Sequence, residues 1–297
     1  MANKNFFRSL QKFLMRAKIL PIIKKKLSKG RCSIMMRALW SAASGMKAQQ
    51  TNMDIVAHNI ANVDTYGNKK VRAEFQDLLY QTLRDAGGTS GNGTQYPQGL
   101  QVGLGVKVAA THRVFTQGPL QTTDNPSDVG IQGDGFFQVQ LPDGTTAYTR
   151  DGSFKLDSDR RLVTSDGYLL IPNITLDENA PISSLVISSD GRVSDTPAGG
   201  EQTEIGQITL VRFVNPEGLY AYGRNFFLET AASGAPIESE PGQDGAGVLA
   251  QNTLEMSGVQ IVEEMVNMIV SQRAYESNSK AVTTSDSMLE IANQMKR

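Results

Sequence analysis

The chain has 297 residues, of which 39% are hydrophobic and 20% are charged, a composition ordinary for a globular protein with a sizeable core. The net charge of −1 conceals an asymmetry, because residues 1–34 contain ten basic side chains and no acidic one. Without those ten, 19 basic residues stand against 30 acidic ones, so residues 35–297 carry about −11. This acidic body excludes a basic nucleic-acid groove. The single cysteine, Cys32, excludes an intramolecular disulfide and a cysteine-based metal site.

The basic leader at residues 1–35 lacks the unbroken apolar stretch of a secretory signal, because basic residues divide its apolar runs and Lys24-Lys25-Lys26 follow them. No run in the chain reaches the roughly 18 apolar residues that a membrane span requires. We interpret the leader as a start-site artefact or an unstructured tail, with Met35 or Met36 as the true first residue. A basic amphipathic helix on a membrane surface is the alternative.

Residues 36–63 carry apolar side chains at alternating steps of three and four, with Gln49 as the one interruption. This pattern predicts a helix about 40 Å long with a heptad seam that packs along another helix. The seam residues are Leu39, Ala42, Met46, Met53, Val56, Ile60 and Val63.

The middle of the chain changes to β patterns. Residues 67–100 include a tract rich in Gly, Ser, Thr and Asn, which predicts an extended connector. Within residues 101–252, Phe137, Val139 and Leu141 alternate with Gln138 and Gln140, as in a half-buried strand. Asp-Gly pairs favour tight hairpin turns, so this region is predicted to be a mainly antiparallel β domain. The pairs are Asp134-Gly135, Asp143-Gly144, Asp151-Gly152, Asp166-Gly167 and Asp190-Gly191.

Residues 257–295 return to a helical pattern, with a wide apolar face that narrows after residue 270 and is then interleaved with small residues. The predicted fold class is therefore α+β. Residues 36–66 and 253–297 form a coiled-coil-like helical assembly domain, the connector follows at 67–100, and the β domain occupies 101–252.

Two long helices at opposite ends of one chain have too little surface to cover each other completely. A lone pair of helices would leave Trp40, Val266 and Met288 exposed, whereas helices owe most of their stability to packing. Other copies of the chain can supply the missing surface, and a repeated contact that does not close produces a helical filament. An ordinary intramolecular helical hairpin is the alternative.

Several motifs resemble the rod and hook family of the bacterial flagellum. The run Met36–Met46 and the stretch from Asn59 to Thr65 resemble its N-terminal signature, although Gly67-Asn68-Lys69 stands where the family usually has Gly-Phe-Lys. Further runs throughout the body resemble the distal rod branch of the family. They are Gly99–Val106, Phe115–Gly118, Gly133–Phe137, Tyr148–Phe154, Glu263–Ile269 and Gln272–Glu276.

The resemblance implies that copies stack helically into a hollow, straight drive shaft that crosses the periplasm, transmits torque to the hook and lets export substrates pass. It implies proximal rod proteins, the hook protein and the P and L ring proteins as partners. It also implies export through the flagellar type III apparatus without a cleaved signal. The connector near Tyr80–Gly105 favours the distal rod over the proximal rod or the hook, which are the alternatives within the family.

Catalytic interpretations have little support in the sequence. His58 and His112 lack cysteine or glutamate at metal-ligand spacing. Ser277-Asn278-Ser279-Lys280 matches a bare Ser-x-x-Lys motif in the middle of a helix without its companion motifs, so a peptidoglycan hydrolase is a weak alternative. A secreted adhesin with a ligand-binding β domain is another. We expect no catalytic residue, no cofactor and no metal.

The functional residues of a filament subunit are its interface positions. An unpaired charge in an apolar seam is costly, so Met53→Asp is expected to block polymerisation. The candidate interface residues are Leu39, Met46, Met53, Val56, Ile60, Ile261, Met265, Met268, Ile269, Tyr275 and Leu289.

Overall fold

The computed structural model describes residues 19–87, 95, 97–176, 184–195 and 203–295, with side chains described from residue 37 onward. The chain divides into two compact units. Unit 1 takes its described residues from Met1–Met53, Glu74–Ala110 and Ile269–Arg297, and unit 2 consists of those in Asp54–Ala73 and Thr111–Met268.

The described residues form two long helices and a series of short strands, so the predicted α+β class is confirmed. The helices are α1 (Ile19–Ala61) and α2 (Ile261–Gln294). The strands before residue 150 are β1 (Val71–Asp77), β2 (Tyr80–Arg84), β3 (Leu100–Gly103), β4 (Val106–Arg113), β5 (Leu120–Thr122), β6 (Val129–Gln132), β7 (Phe137–Gln140) and β8 (Thr146–Thr149). The later strands are β9 (Lys155–Leu156), β10 (Leu162–Val163), β11 (Leu169–Ile171), β12 (Val186–Ile187), β13 (Arg192–Asp195), β14 (Thr203–Gln207), β15 (Leu210–Arg212), β16 (Tyr220–Gly223), β17 (Phe226–Leu228), β18 (Ile237–Ser239), β19 (Val248–Gln251) and β20 (Thr253–Glu255).

Helix α1 begins earlier than the sequence pattern predicts. Residues 19–35 of the leader continue the helix, where an unstructured tail was expected, while residues 1–18 lie outside the described part. Pro21 stands in the first turn, where proline is tolerated, and the lysines that follow are good helix formers. The helix ends at Ala61, and Asn62 donates hydrogen bonds from its backbone N and its Nδ2 to the carbonyl of His58 (3.2 and 2.8 Å).

Unit 2 is built on a seven-stranded antiparallel sheet in the order β16-β17-β8-β7-β11-β10-β9. Its central strand, β7, pairs with β8 and with β11, and its residues Phe137 and Val139 are fully buried. Phe137 meets Phe154 edge to face with ring centroids 5.1 Å apart. The main core includes these side chains and extends to β12–β14, which form a separate three-stranded antiparallel sheet.

A second, aromatic cluster lies in the same unit. Phe136 contacts Phe213 and Phe227 edge to face at 5.9 and 6.0 Å, and Tyr148 contacts Phe213 at 4.8 Å. Both faces of the sheet are therefore covered near β7. This explains why Gln138, expected on a polar face, is buried and donates to Glu238 Oε1 at 3.1 Å.

Four of the five Asp-Gly pairs have a glycine with positive φ, and those at Gly144, Gly167 and Gly191 connect paired strands as predicted. Gly152 is different, because its φ is not positive. A Cβ there would overlap the carbonyl oxygen of Val129, whose own N–H donates to Gly152 O at 3.1 Å. Glycine is needed at this position for the close approach of two backbones.

Unit 1 contains α1 up to Met53, the segment Glu74–Ala110, which runs from within β1 to within β4, and α2 from Ile269 onward. The region predicted as an extended connector includes β2 and β3, which pair antiparallel with Tyr80 opposite Gly103. Residues 88–94 and 96 of the same region lie outside the described part. Neither described helix combines the length and apolarity needed to cross a membrane.

Gly152→Ala is expected to destabilise unit 2 by about 1–3 kcal/mol, because the added methyl group cannot be accommodated without moving the backbone at Val129. Gly206→Ala is the matched control, since its Cβ would find only Ile174 Cγ1 at 3.6 Å and its φ is not positive. Urea unfolding followed by circular dichroism measures both variants. Equal stability of the two variants would contradict this account of Gly152.

Candidate assembly surface and its anchoring

A buried ionic cluster in unit 2 holds the segment that follows α1. Lys69 and Glu255 are each only 1% exposed, and Lys69 Nζ lies 2.6 Å from Glu255 Oε1. The same oxygen accepts from the backbone N of Gly118 at 2.8 Å, and Lys69 also donates to Thr116 O at 2.9 Å. Arg150 Nη1 lies 3.6 Å from Glu255 Oε2. One carboxylate is therefore shared by two buried cations.

Burial dominates the electrostatics of this cluster. It lowers the pKa of Lys69, and the charge of Arg150 lowers it further, against the opposing effect of Glu255. Burial likewise lowers the pKa of Arg150, again opposed by Glu255. Removing the carboxylate would leave two desolvated cations side by side.

Asn68, the departure from the family motif, is also buried and has partners for its amide. Its Nδ2 donates to Asn62 O and to Ser257 Oγ, each at 3.2 Å. Gly67 precedes it with a φ of +66° and donates its N–H to Glu255 O at 2.8 Å. The polar side chain at position 68 thus links the end of α1 to the residues that precede α2.

A second polar group in unit 2 connects the two helices where they leave the β body. Asn59 acts as a backbone mimic, because its amide donates to Val71 O at 2.9 Å and accepts from Val71 N at 3.0 Å. Asn59 Nδ2 also lies 3.4 Å from Glu264 Oε2, and Lys70 Nζ pairs with Glu264 Oε1 at 2.6 Å. The buried Glu264, near the N-terminus of α2, is therefore held from both sides.

Within unit 1 the helices meet through small and polar residues. Asn52 Nδ2 donates to Ser271 Oγ at 2.7 Å, and a Cβ on Gly45 would stand 2.8 Å from Asn278 Nδ2. Going from the first contact to the second moves seven residues back along α1 and seven forward along α2, so the helices run antiparallel. Two helical turns separate the contacts on each helix.

Helix α1 also contacts residues of β2 and β4 in unit 1. Arg37 Nη1 donates to Gln81 Oε1 at 2.8 Å, and the backbone N of Val106 donates to Ser44 Oγ at 3.3 Å. A side chain at Gly105, which has a φ of +120°, would collide with Ser44. Residues of β2 and the start of β4 are thus fixed against the helix by polar contacts and one close approach.

The face of α1 that the chain itself covers is only partly the predicted seam. Its buried or contacting residues follow steps of three and four and are mostly small or polar. They are Ala42, Gly45, Ala48, Asn52, Val56 and Asn59. Val56, a predicted interface residue, is 4% exposed and so is unavailable to another molecule. The remaining predicted residues of α1 are half-buried on a neighbouring stripe with a spacing of seven. They are Leu39, Met46, Met53 and Ile60.

The predicted interface residues on α2 divide in a similar way. Ile261, Met265, Ile269 and Tyr275 are exposed, whereas Met268 and Leu289 are half-buried. Three further exposed apolar residues of the opening turns stand beside Ile261, Met265 and Ile269, and two of them were expected only as part of a wide apolar face. The exposed apolar face of α2 consists of Ile261, Val262, Met265, Val266, Ile269 and Val270.

Two helices of one chain were predicted to leave several large apolar side chains exposed, and this prediction is confirmed. Trp40 is 70% exposed, and Val266 and Met288 are both exposed. At 100° per residue, the apolar face of α2 lies on the opposite side of the helix from the buried Glu264 and Ser271. The chain therefore covers the polar side of α2 and leaves its apolar side uncovered.

Residues considered for chemistry have ordinary structural surroundings. Ser277 Oγ donates to Arg273 O at 2.9 Å within α2, a back-bond of a helical serine. His58 lies exposed in the last turn of α1 and His112 is half-buried in β4. Among the described residues, no group of three or more His, Cys, Asp or Glu side chains is close enough to hold a metal ion.

Sequence reasoning missed the residues that anchor the helices. Lys69, Arg150 and Glu264 stand inside motifs that the sequence brought forward, but a charged residue gives no periodic signal of burial. Asn52 and Ser271 are polar residues of the two helices that lie outside the apolar pattern, so a search for a hydrophobic seam does not find them. The sequence did contain one clue to these residues. A charged or amide residue inside a recognised motif suggests a buried polar contact, because a side chain that only faces solvent can be replaced by many other polar residues.

The three parts of this architecture match three family models. Residues 39–69 match the flagella basal body rod protein model, and residues 130–195 match the flagellar hook protein FlgE/F/G D1 domain. Residues 250–295 match the flagellar basal body rod FlgEFG protein C-terminal model. An antiparallel β body between two long terminal helices, matched in all three parts, defines the rod and hook class of flagellar axial proteins.

Comparison with curated proteins narrows the class. The chain is 57% identical over 264 residues to flagellar basal-body rod protein FlgG of Borreliella burgdorferi, covering 89% of this chain and all of the relative. It is 50% identical over 262 residues to FlgG of Buchnera aphidicola, covering 88% of this chain and again all of the relative. The match to flagellar hook protein FlgE of Helicobacter mustelae, at 44% identity, covers 46% of this chain and 30% of the relative.

The chain belongs to the family of flagellar basal-body rod proteins FlgG. It is accordingly a structural component of the flagellar basal-body rod, in a family that is not enzymatic. The hydrolase and adhesin interpretations lose their support, because all three parts of the chain match rod and hook proteins.

Glu255→Gln is expected to destabilise unit 2 by about 3–5 kcal/mol, because it removes the carboxylate that pairs with both buried Lys69 and buried Arg150. The control is Glu204→Gln, whose partner Arg192 lies 3.8 Å away with both side chains exposed. The control should change the free energy of unfolding by no more than about 0.5 kcal/mol. Urea unfolding of the two variants tests the difference, and a Glu255→Gln variant as stable as its control would refute the anchoring role.

Proposed function

We propose that this chain is a distal rod subunit whose copies assemble into a helical, hollow shaft through the terminal helices. The residues proposed to make the contacts between copies are the exposed and half-exposed members of the predicted interface. They are Leu39, Met46, Met53, Ile60, Ile261, Met265, Met268, Ile269, Tyr275 and Leu289. Packing between helices of different copies is proposed to be coiled-coil-like.

The observation that carries this proposal is the exposed apolar face of α2. Its six residues are all between about half and three-quarters exposed, although they stand in the first three turns of a 34-residue helix. Monomeric soluble proteins rarely leave a contiguous apolar face of this kind uncovered. A second copy is the simplest molecule to cover it, since the same stripe is present on every copy at the same place.

Rough energies indicate how many contacts such an assembly needs. Covering a half-exposed aliphatic side chain contributes on the order of 1 kcal/mol, so six contribute about 6 kcal/mol. Association costs an estimated 4–15 kcal/mol in lost freedom of motion. One such face is therefore marginal by itself, and a subunit that touches several neighbours, as in a helical array, is the arrangement that makes the assembly stable.

The domain organisation proposed for the assembly follows the sequence analysis with one change. The helical assembly domain comprises residues 36–66 and 253–297, the connector 67–100 and the β domain 101–252. Asn59 and Glu264 are buried in unit 2, which contains the large β-sheet. The end of α1 and the start of α2 are therefore anchored in the β body. The free parts of the helices are proposed to line the inner channel, with the β domain facing outward.

Partners beyond the axial proteins themselves are part of the same proposal. The match to a hook protein supports contact with related rod and hook proteins. Proximal rod proteins, the P and L ring proteins and the type III export apparatus are proposed as further partners from the role of a rod that crosses the periplasm and transmits torque. The alternatives within the family, a proximal rod or hook protein, are less well supported, because the hook match covers less than a third of that relative.

Ile269→Asp is expected to raise the critical concentration for polymerisation at least tenfold, because it places an unpaired charge in the middle of the apolar face of α2. Asn267→Asp is the matched control, since it adds the same charge to an exposed position about 160° around the helix. Met53→Asp on α1 is expected to act in the same direction as Ile269→Asp. Sedimentation of purified protein over a range of concentrations measures all three.

The β body provides the internal standard for this experiment. The circular dichroism and unfolding midpoint of each soluble variant should match those of the unmodified chain, because none of the substituted side chains belongs to the buried cores. Polymerisation of Ile269→Asp at the concentration that suffices for Asn267→Asp would overturn the assignment of this face.

A further inference from the structure

Unit 2 contains a cavity of about 140 Å³ whose lining differs in charge from the rest of the body. The side chains that matter are His58, Asn62 and Asn68 from the end of α1 and the following loop, Arg113 from the end of β4, and Arg224 and Asn225 from the turn between β16 and β17. None of the residues that line the cavity is acidic. In a body that carries about −11, a cavity lined by two arginines, a histidine and three amides is locally basic.

Arg113 is the central cation of this cavity. Its guanidinium carbon stands 5.5 Å from the ring centroid of Phe227, a buried residue of the aromatic cluster, so the ring limits its movement. Burial lowers the pKa of Arg113. Among the described residues, no carboxylate lies within ion-pair distance of it, in contrast to the buried Lys69 and Arg150, which share Glu255. A half-buried guanidinium without a counter-charge gains free energy when an anion reaches it.

Arg224 adds a second cation at a strained position. Arg224 and Asn225 have φ values of +54° and +64° and form the two-residue turn between β16 and β17. Glycine or asparagine is favoured at the first of these positions, and arginine there costs about 1–2 kcal/mol. Arg224 donates to Tyr168 Oη at 3.1 Å, which leaves its other donors for a ligand.

We infer that this cavity is a docking site for a carboxylate side chain of a neighbouring copy of the same chain, an inference that rests on the proposed self-assembly. Copies of an acidic body present many aspartate and glutamate side chains, and a carboxylate accepts paired N–H donors from a guanidinium. The cavity has room for a carboxylate group with several water molecules. Through this contact, copies would be joined by charge at the β bodies in addition to the apolar faces of their helices.

The test uses the full chain and compares Arg113→Gln with Arg192→Gln, an exposed arginine of β13 whose carboxylate partner lies 3.8 Å away. Loss of a charge-assisted hydrogen bond at every contact is expected to raise the critical concentration of Arg113→Gln about tenfold. Arg192→Gln should polymerise like the unmodified chain. Because Arg113 is half-buried, Arg224→Gln at the exposed turn is the second variant, with an expected rise of about threefold.

The outcomes separate this inference from the proposed function. If the unmodified chain does not polymerise at any concentration, the proposed function fails. If it polymerises and Arg113→Gln and Arg224→Gln follow it unchanged, the docking site fails while self-assembly stands. Calorimetric titration with inorganic phosphate tests whether the cavity instead binds a small free anion. Saturable phosphate binding that is lost in Arg113→Gln, together with unchanged polymerisation, would identify a site for small anions and would overturn the docking of a carboxylate from another copy.

Discussion

The carboxylate of Glu255 is shared by two buried cations that come from distant parts of the chain. Lys69 follows the N-terminal helix, Arg150 directly follows β8 of the large sheet, and Glu255 ends β20, six residues before α2 begins. Buried ion clusters are weak contributors to net stability, because desolvation consumes most of what the charges gain. Their effect is on position. A different placement of residue 69 would separate the Lys69 ammonium from Glu255 and leave that carboxylate with only the more distant Arg150, so the ion pair favours one location in unit 2 for the segment after α1.

The same reasoning applies to the amide groups along the helices. Asn59 satisfies both backbone groups of Val71 and reaches Glu264, and Asn52 bonds Ser271 in unit 1. A slip of α1 by one turn would bury these amides without partners, at a cost of about 1–3 kcal/mol for each. Apolar side chains tolerate such slips far better, because their attraction has no direction. Polar contacts between the helices therefore determine register, a property that a subunit with repeated external contacts depends on.

The sequence predicted the α+β class, the two long helices and most of the hairpin turns, because these depend on periodicity and on local turn chemistry. It also predicted that Trp40, Val266 and Met288 would stay exposed, since that follows from counting the surface two helices can bury. The anchoring residues were beyond its reach. Whether Lys69 or Glu264 faces solvent or the interior depends on contacts with residues almost 200 positions away, and no local pattern encodes that.

Val56 illustrates the same limit on a finer scale. Val56 does belong to the apolar seam predicted for α1. In the structure, however, it lies on the side of the helix that carries Gly45, Asn52 and Asn59, and that side makes the contacts within the chain. Because the stripes are separated by a fraction of a helical turn, Val56 is covered by the chain while Met46 and Met53 remain half-exposed. A heptad pattern identifies a helix with a contact face, but it does not decide whether the contact lies within one molecule or between two.

The division of polar and apolar contacts has an energetic consequence for the helices. A hydrogen bond between side chains contributes about 0.5–1.5 kcal/mol net, whereas each fully buried aliphatic side chain contributes about 1.5–3 kcal/mol. Polar residues of the helices make the contacts within the chain, whereas most of the large aliphatic residues take no part in these contacts. The pairing of the two helices within one chain is thus specific but weak. Most of the stabilisation that burying their aliphatic side chains could provide requires contact with another molecule. Contact with neighbouring molecules would therefore stabilise the helices further, because it would cover the apolar side chains that the contacts within the chain leave exposed.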